Sequence, residues 1–463
     1  MTELLELWIK RSPALSRKIR GATSDDIERL LIVSNGWPEA MVILLSTLAN
    51  SLLHVGDLDE QVQENVYNFI LGGLYGTLNR TARACLLWTG SFPATFTVDG
   101  LAAVSHVRRQ SVAAALAALL DAHLIKELFA GQYTWAHPIV RDFVTRKGRR
   151  HKSATERVTA AEKHLEEWAR THGGQPRSDW SNFLQLDREF ENLRAHMESA
   201  FENSRFTIVT RTYRRLFSYI VERGYWTFTE SWCERMTQQN LHKGELPDWL
   251  IWWSWIKYYL RRDYVQSAAL AEQAMSLEPR ENRQRFEAHR RALVAHGQLG
   301  NLPEVTAHVR AAADVCQRCW RSDSDQAIDL LNSEATAWLS IGRLGEDAAM
   351  VEQAIGIFER AERVARRKSN PNTREIGIAM LGQATGLAVL GQDEAALGLA
   401  QSSLAYAWQV SWLRGIAEAN ELVADLAERL GQLALSRSAR DVAERMGSQL
   451  RSGPVRAGRE LTS

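Results

Sequence analysis

The two residues best spaced for metal chemistry are Cys316 and Cys319, since thiols at i and i+3 on one helix can reach the same ion. A structural zinc needs four ligands. No second cysteine pair and no His-x-x-x-His follows, so ligands as remote as His308 would be required. The thiols therefore read as buried or idle, and no metal is expected. A second group is the aromatic run from Trp249 to Tyr259. Trp252, Trp255 and Tyr259 recur at helical spacing, as a packing stripe does. Trp249, Trp253 and Tyr258 point elsewhere and are the expected partner anchors, because interface hot spots favour Trp and Tyr. A third group is the basic run of Arg146, Lys147, Arg149, Arg150 and Lys152, which reads first as a solvated helix end. With Arg108 and Arg109 it supplies the cations of an alternative, DNA-contacting reading: Arg108, Arg109, Arg149 and Arg150. Against that reading, Val112 to Leu120 is almost wholly Ala and Leu, whereas a recognition helix needs polar side chains. No Gly-Lys dipeptide occurs, so no P-loop is present, and no Gly-x-Ser-x-Gly or His-Glu-x-x-His stands out. No catalytic residue is expected.

The elements that carry these residues are mainly helices. Ser24-Asp25-Asp26 caps one helix, the chain turns at Asn35-Gly36, and Pro38 opens an apolar helix through Val55. From Thr77 to Gly148 the pattern predicts helices over Leu78 to Trp88, Val98 to Val104 and Ser111 to His123. A hairpin of Ile125 to Phe129 and Gln132 to Trp135 follows, then a helix opening at Pro138. That is the order of a winged-helix domain. From about residue 205 helix pairs fold around Gly224, Asp263, Gly300, Gly345, Gly391 and Gly431, separated by 39, 37, 45, 46 and 40 residues. Such periods mean a helical solenoid of about six pairs.

Composition agrees. With 56 Lys+Arg against 55 Asp+Glu the formal charge is +1, so no global field draws the chain to nucleic acid or an anionic membrane. Only 10 prolines and 4 cysteines in 463 residues exclude collagenous and disulfide-stapled classes and favour a reducing compartment. The N-terminus lacks the apolar core of a secretory signal, and the uncharged stretch from Ala40 to Val55 is too short to span a bilayer. A cytoplasmic protein is expected.

Several segments resemble the STAND ATPases of the NB-ARC class, in the form of bacterial regulators with a TPR-like sensor. Gly36-Trp37-Pro38 is similar to the glycine–x–proline step of that family's helical subdomain. Phe92-Pro93, Leu119-Leu120-Asp121, His123-Leu124-Ile125 and Tyr133 to Pro138 resemble its winged-helix text. Glu189-Phe190-Glu191-Asn192-Leu193-Arg194-Ala195 resembles the E-x-x-N-L-R-A segment leading into the sensor. The resemblance implies that Gly36 and Pro38 lie near the adenine of ATP or ADP and that His137 reaches toward its phosphates. Ala136 and Pro138 flank that histidine where the family often has Met and Asp. Without a P-loop these three residues are expected to be vestigial nucleotide contacts. No cofactor is expected in this chain, with ATP or ADP bound only if a P-loop domain is supplied elsewhere.

The expected fold is mainly α. It comprises a helical STAND remnant (1–56), a connecting helix (57–76), a winged-helix domain with a small β-hairpin (77–150), a helical connector (151–205), TPR-like repeats forming an α–α superhelical solenoid (206–450) and a tail (451–463). The expected function is a non-enzymatic signalling or regulatory scaffold whose solenoid binds a protein, peptide or effector, with oligomerisation on switching as in the family. The alternatives are a transcriptional regulator touching DNA through the winged helix and basic junction, or a nucleotide switch whose P-loop lies outside the chain. Neither nucleic acid nor membrane is an expected partner.

Overall fold

A computed structural model of the chain describes Glu28 and residues 66–129, 131–149, 154–174, 181–369 and 371–452. Gly36, Pro38, Arg150, the helical remnant expected at 1–56 apart from Glu28, and the tail from 453 lie outside the described residues. The chain divides into two compact units, Met1–Thr171 with Leu186–Ser199, and His172–Gln185 with Ala200–Ser463.

In the first unit, α1 (Val66–Thr77) precedes α2 (Arg80–Thr89), whose cap Asn79 accepts from the Ala82 amide at 2.8 Å. Strand β1 (Phe96–Thr97) leads into α3 (Val98–Ser105), and α4 (Arg109–Asp121) follows. The expected hairpin is present as β2 (Ile125–Phe129) and β3 (Gln132–Trp135), and α5 (Pro138–Arg149) follows it. The sheet has three antiparallel strands in the order β1-β3-β2, with Ile125 opposite Trp135 and Phe96 opposite Tyr133. The two residues of β1 are too few to show alternation in sequence. Leu86, Phe96, Leu116, Leu119, Trp135 and Val144 meet in one core, and the indole of Trp135 donates to Thr89 Oγ1 at 3.1 Å. The division between units passes through α6 (Ala154–His172) and α7 (Ser181–Glu202).

The E-x-x-N-L-R-A segment lies on α7, and its asparagine is a backbone staple. Asn192 Oδ1 accepts from the Ala94 and Thr95 amides at 2.9 and 3.1 Å, while Nδ2 donates to Thr95 O and to Glu189 Oε2, each at 2.7 Å. It thereby satisfies the irregular backbone just before β1, which no strand partner serves. Glu189 is fully buried, and burial pushes its carboxyl up to about 7 against the opposing hydrogen bond from Asn192. A carboxyl raised in the folded state favours folding below its unfolded value near 4.5, and that contribution is lost as pH rises through about 7. Glu189→Gln keeps the acceptor without the charge. It is expected to raise unfolding free energy by roughly 2–3 kcal/mol at pH 8 and to leave it nearly unchanged at pH 4, read by urea denaturation at both pH values.

The second unit is a TPR-like solenoid of six helix pairs among the described residues. They are α8 (Phe206–Glu222) with α9 (Trp226–Thr237), α10 (Leu246–Ile256) with α11 (Tyr264–Ser276), α12 (Asn282–Gln298) with α13 (Leu302–Cys319), α14 (Asp325–Leu344) with α15 (Ala348–Arg366), α16 (Thr373–Val389) with α17 (Asp393–Gln409), and α18 (Leu413–Arg429) with α19 (Leu433–Ser452). Each pair turns on a left-handed residue. Gly224, Gly300, Gly391 and Gly431 supply four of these, at φ of 79, 73, 74 and 74°. The other two turns differ by one position from the sequence expectation. Arg262 and Glu346, each at φ 53°, are left-handed. Asp263 instead caps α11, accepting from the Gln266 amide at 3.0 Å, and Gly345 keeps a negative φ of −89°.

Successive cores succeed one another along the array, from Phe286, Leu293 and Val305 through Val351, Phe358 and Ile376 to Leu397, Val423 and Leu426. Small residues allow close approach: a Cβ on Gly297 would sit 2.6 Å from Ala337 Cα. The solenoid also closes on itself. Val221 and Trp226 of the first pair and Trp255 and Ile256 of the second share an apolar cluster with Leu413, Ala417 and Leu450 of the sixth. Thr227 Oγ1 donates to the Arg451 carbonyl at 3.2 Å across this seam.

Candidate functional site: the inner cavity of the solenoid

The first helix of every pair contributes to the wall of a cavity of about 570 Å³, with Tyr264 of α11 and Phe358 of α15 adding to it. Between α10 and α11 the chain makes a π-helical turn, Lys257–Arg261. Its wider turn rotates the residues beyond Ile256 away from an α-helical register. Tyr258 and Tyr259 both line the cavity in consequence, beside Trp255, with their rings 4.6 Å apart.

Charge is concentrated on this wall. Glu222 of α8 pairs with Arg374 of α16, Nε to Oε1 3.1 Å, and Arg374 also reaches Glu375 at 2.7 Å. Asn332 of α14 donates to Glu375 at 2.8 Å. Arg414 of α18 lies 4.2 Å over the Tyr259 ring and 5.3 Å from that of Trp412. Arg290 of α12 contacts Glu287 at 2.8 Å and Ser333 at 3.3 Å, and Gln298 donates to Ser340 at 2.8 Å and to the Tyr258 hydroxyl at 3.1 Å.

These contacts leave polar capacity unused. Burial, reinforced by the Glu375 charge, pushes the Asp329 carboxyl up to about 7 despite nearby Arg290 and Arg374. Burial and the Arg290 charge bring Arg291 down to about 10, although Glu287 opposes this. Burial also raises Glu222, over the opposing pull of Arg374 and Arg414. Among the buried atoms of this wall, Glu222 Oε2, Arg291 Nε, Asn332 Oδ1 and Trp412 Nε1 have no hydrogen-bond partner in the protein. Unpaired buried polar atoms are costly, and a small polar molecule that paired with them would recover that cost. Both signs of charge, planar hydrogen-bonding groups and flanking aromatics fit such a ligand, and the volume is that of an ordinary ligand pocket.

The residues singled out in the sequence fall in different places. Trp249 is no surface anchor: it is fully buried, its indole donating to Thr210 Oγ1 at 3.0 Å and its ring 4.7 Å from Tyr213. Its part of α10 packs on α8, which removes it from any outer face. Trp253 packs beside Leu250, Leu270 and Met275 and is outside the cavity lining. Tyr258 is mostly buried but does face the cavity, together with Tyr259, which the helical period had assigned to packing. Arg290 and Arg291, which line the cavity, carry no distinguishing sequence signal, because with Glu287 they look like the paired charges of any amphipathic helix.

In the first unit, His137 caps α5, its Nδ1 accepting from the Ile139 amide at 3.2 Å. Arg108 is exposed at the start of α4, and exposed Arg109 pairs with Asp99 at 2.6 Å. Arg149 is exposed in the last turn of α5. The exposed face of α4 beyond them is Ser111, Ala113, Ala114, Ala117 and Asp121, which offers few groups able to read a base edge. Cys316 is buried in the core with Phe286 and Leu293, and Cys319 packs against the same cluster. No helix among the described residues is long and apolar enough to cross a membrane.

The fold and its inner cavity define a TPR-like helical-repeat protein. A solved structure with a similar fold is that of a Signal Transduction ATPase with Numerous Domains (STAND) protein with a tetratricopeptide repeat sensor, from Pyrococcus horikoshii. The TM-score is 0.54 at 15% identity, over 94% of this chain and 62% of that one. The chain thus spans under two thirds of that protein's length. No family model matches the chain, and no curated protein does.

Proposed function

We propose that this chain is a non-enzymatic regulatory protein whose closed solenoid senses a small polar effector in its inner cavity. The winged-helix-like first unit, on this reading, passes the event on within a STAND-type signalling architecture. The observation that carries the reading is the charged, aromatic cavity of about 570 Å³ with its unpaired buried atoms. Its size suits a metabolite rather than the face of a folded protein. The solved STAND protein with a repeat sensor supports the class of activity by likeness of fold. The absence of a Gly-Lys dipeptide argues against ATP hydrolysis by this chain itself.

The test is a thermal-shift screen of the full chain with amino acids, dicarboxylates, sugar phosphates and nucleosides, followed by calorimetry. A ligand at about 100 times its Kd adds roughly 2.7 kcal/mol, which for a unit of this size means a Tm rise of about 5–10 °C. Asp329→Asn, at the cavity wall, is expected to weaken that ligand at least tenfold, and Thr336→Trp, which fills the space, to abolish the shift. No shift from any class, or a shift unchanged in both variants, would overturn the effector site. Measurable ATP turnover would overturn the non-enzymatic assignment.

A further inference from the structure

We infer that Glu272, His296 and His308 form a binding site for a divalent transition-metal ion, Zn²⁺ by preference, steadied by His289 and Asn301. The residues come from three consecutive helices, α11, α12 and α13, and none of them lines the inner cavity. One ligand atom from each of the three falls within 4.8 Å of the other two. Ligands about 2.0–2.1 Å from a tetrahedral ion stand roughly 3.4 Å apart, so small side-chain rotations bring all three into coordination. His296 Nε2 is already 2.7 Å from Glu272 Oε1.

The surroundings are those of oriented metal ligands. His296 Nδ1 lies 3.1 Å from the Asn301 side-chain nitrogen; turning that amide over places its oxygen to accept from Nδ1–H, which frees the Nε2 lone pair for the ion. His308 Nδ1 lies 3.1 Å from Nδ1 of His289, which holds the ring in place. The His296 and His308 rings are nearly parallel, 12° apart, with centroids at 5.6 Å. Such outer partners set the ring orientation and tautomer of ligating histidines. Two imidazoles and one carboxylate leave a fourth position for water or for His289. Imidazole donors favour zinc, nickel or copper over magnesium or calcium. Glu272 is exposed, so the site is open to solvent on that side. An ion here would tie α11 to α12 and α13, linking the second helix pair to the third.

The signal was present in the sequence only as His289 and His296, seven residues apart on one helix, with His308 on the next. Cys316 and Cys319 supply the control.

The experiment strips the full chain with a chelator and titrates it with Zn²⁺, and separately with Co²⁺ as a spectroscopic probe. The expected result is one Zn²⁺ per chain, a raised Tm, and Co²⁺ visible bands of a nitrogen–oxygen site without thiolate charge transfer. Glu272→Gln, at a half-exposed position that leaves the fold intact, is expected to weaken binding about 10–100-fold, and His308→Ala by at least that much. Cys316→Ser/Cys319→Ser is expected to bind as the parent does. No stoichiometric uptake by the folded chain, thiolate bands with Co²⁺, or full affinity in Glu272→Gln and His308→Ala would each overturn the assignment.

Discussion

Arg374→Met is expected to cost about 3–5 kcal/mol of unfolding free energy near pH 8, the usual penalty for removing one member of a buried ion pair. Arg374 is the cation shared by Glu222 and Glu375, whose side chains are only 7% and 3% exposed. Methionine covers much of the same apolar surface, so packing changes little and the loss reports charge. The pH dependence gives the sign. Without Arg374 the Glu222 carboxyl, already raised by burial, rises further above its unfolded value, so its protonation at low pH removes much of the penalty. Urea titrations should therefore show a large defect at pH 8 and a small one at pH 4.5. Glu222→Gln in the same chain should recover part of the loss at pH 8. A cost below about 1 kcal/mol, or one independent of pH, would mean that the inner network contributes little to stability.

Gly224→Ala is expected to cost about 3 kcal/mol, against about 1 kcal/mol for Gly431→Ala. Both residues are left-handed, at φ 79 and 74°, and share the conformational penalty of a side chain in that region. They differ in what surrounds them. A Cβ on Gly224 would stand 2.8 Å from the Gln449 carbonyl oxygen and from Leu450 Cα, both backbone atoms of the last helix, whereas nothing lies within 4 Å of one on Gly431. The difference between the variants isolates the seam that joins the first pair to the sixth. Denaturation of the two proteins side by side measures it, and equal costs would show that the seam does not bear on stability.

How much of this could be read from the residues depended on distance along the chain. Helix pairs repeat every few tens of residues and leave an apolar period, so the solenoid and its six turns were legible, as was the hairpin around Gly131. The turns at Arg262 and Glu346 were displaced by one residue because a glycine or aspartate next door carries the more familiar signal. Tyr259 was assigned to packing, although it lines the cavity beside Tyr258, because a π-helical turn breaks the 3.6-residue period on which that assignment rests. The segment at Glu189 to Ala195 could be recognised as text, but not the bonds that Asn192 makes to residues almost a hundred positions earlier. The cavity and the closing seam were illegible for the same reason. Glu222 and Arg374, or Gly224 and Leu450, are brought together by the accumulated rotation of the three or four intervening repeats, and no local pattern records it.

The closed seam constrains how this protein can change over time. In an open helical array a duplicated or deleted pair merely alters length, and such arrays drift in copy number. Here the sixth pair must meet the first at a fixed angle, so adding or losing one unit would tear the Leu450 seam and pull Glu222 away from Arg374 at once. Natural variation in this protein should accordingly accumulate as substitutions and as insertions in the connections between helices, while the number of pairs stays at six.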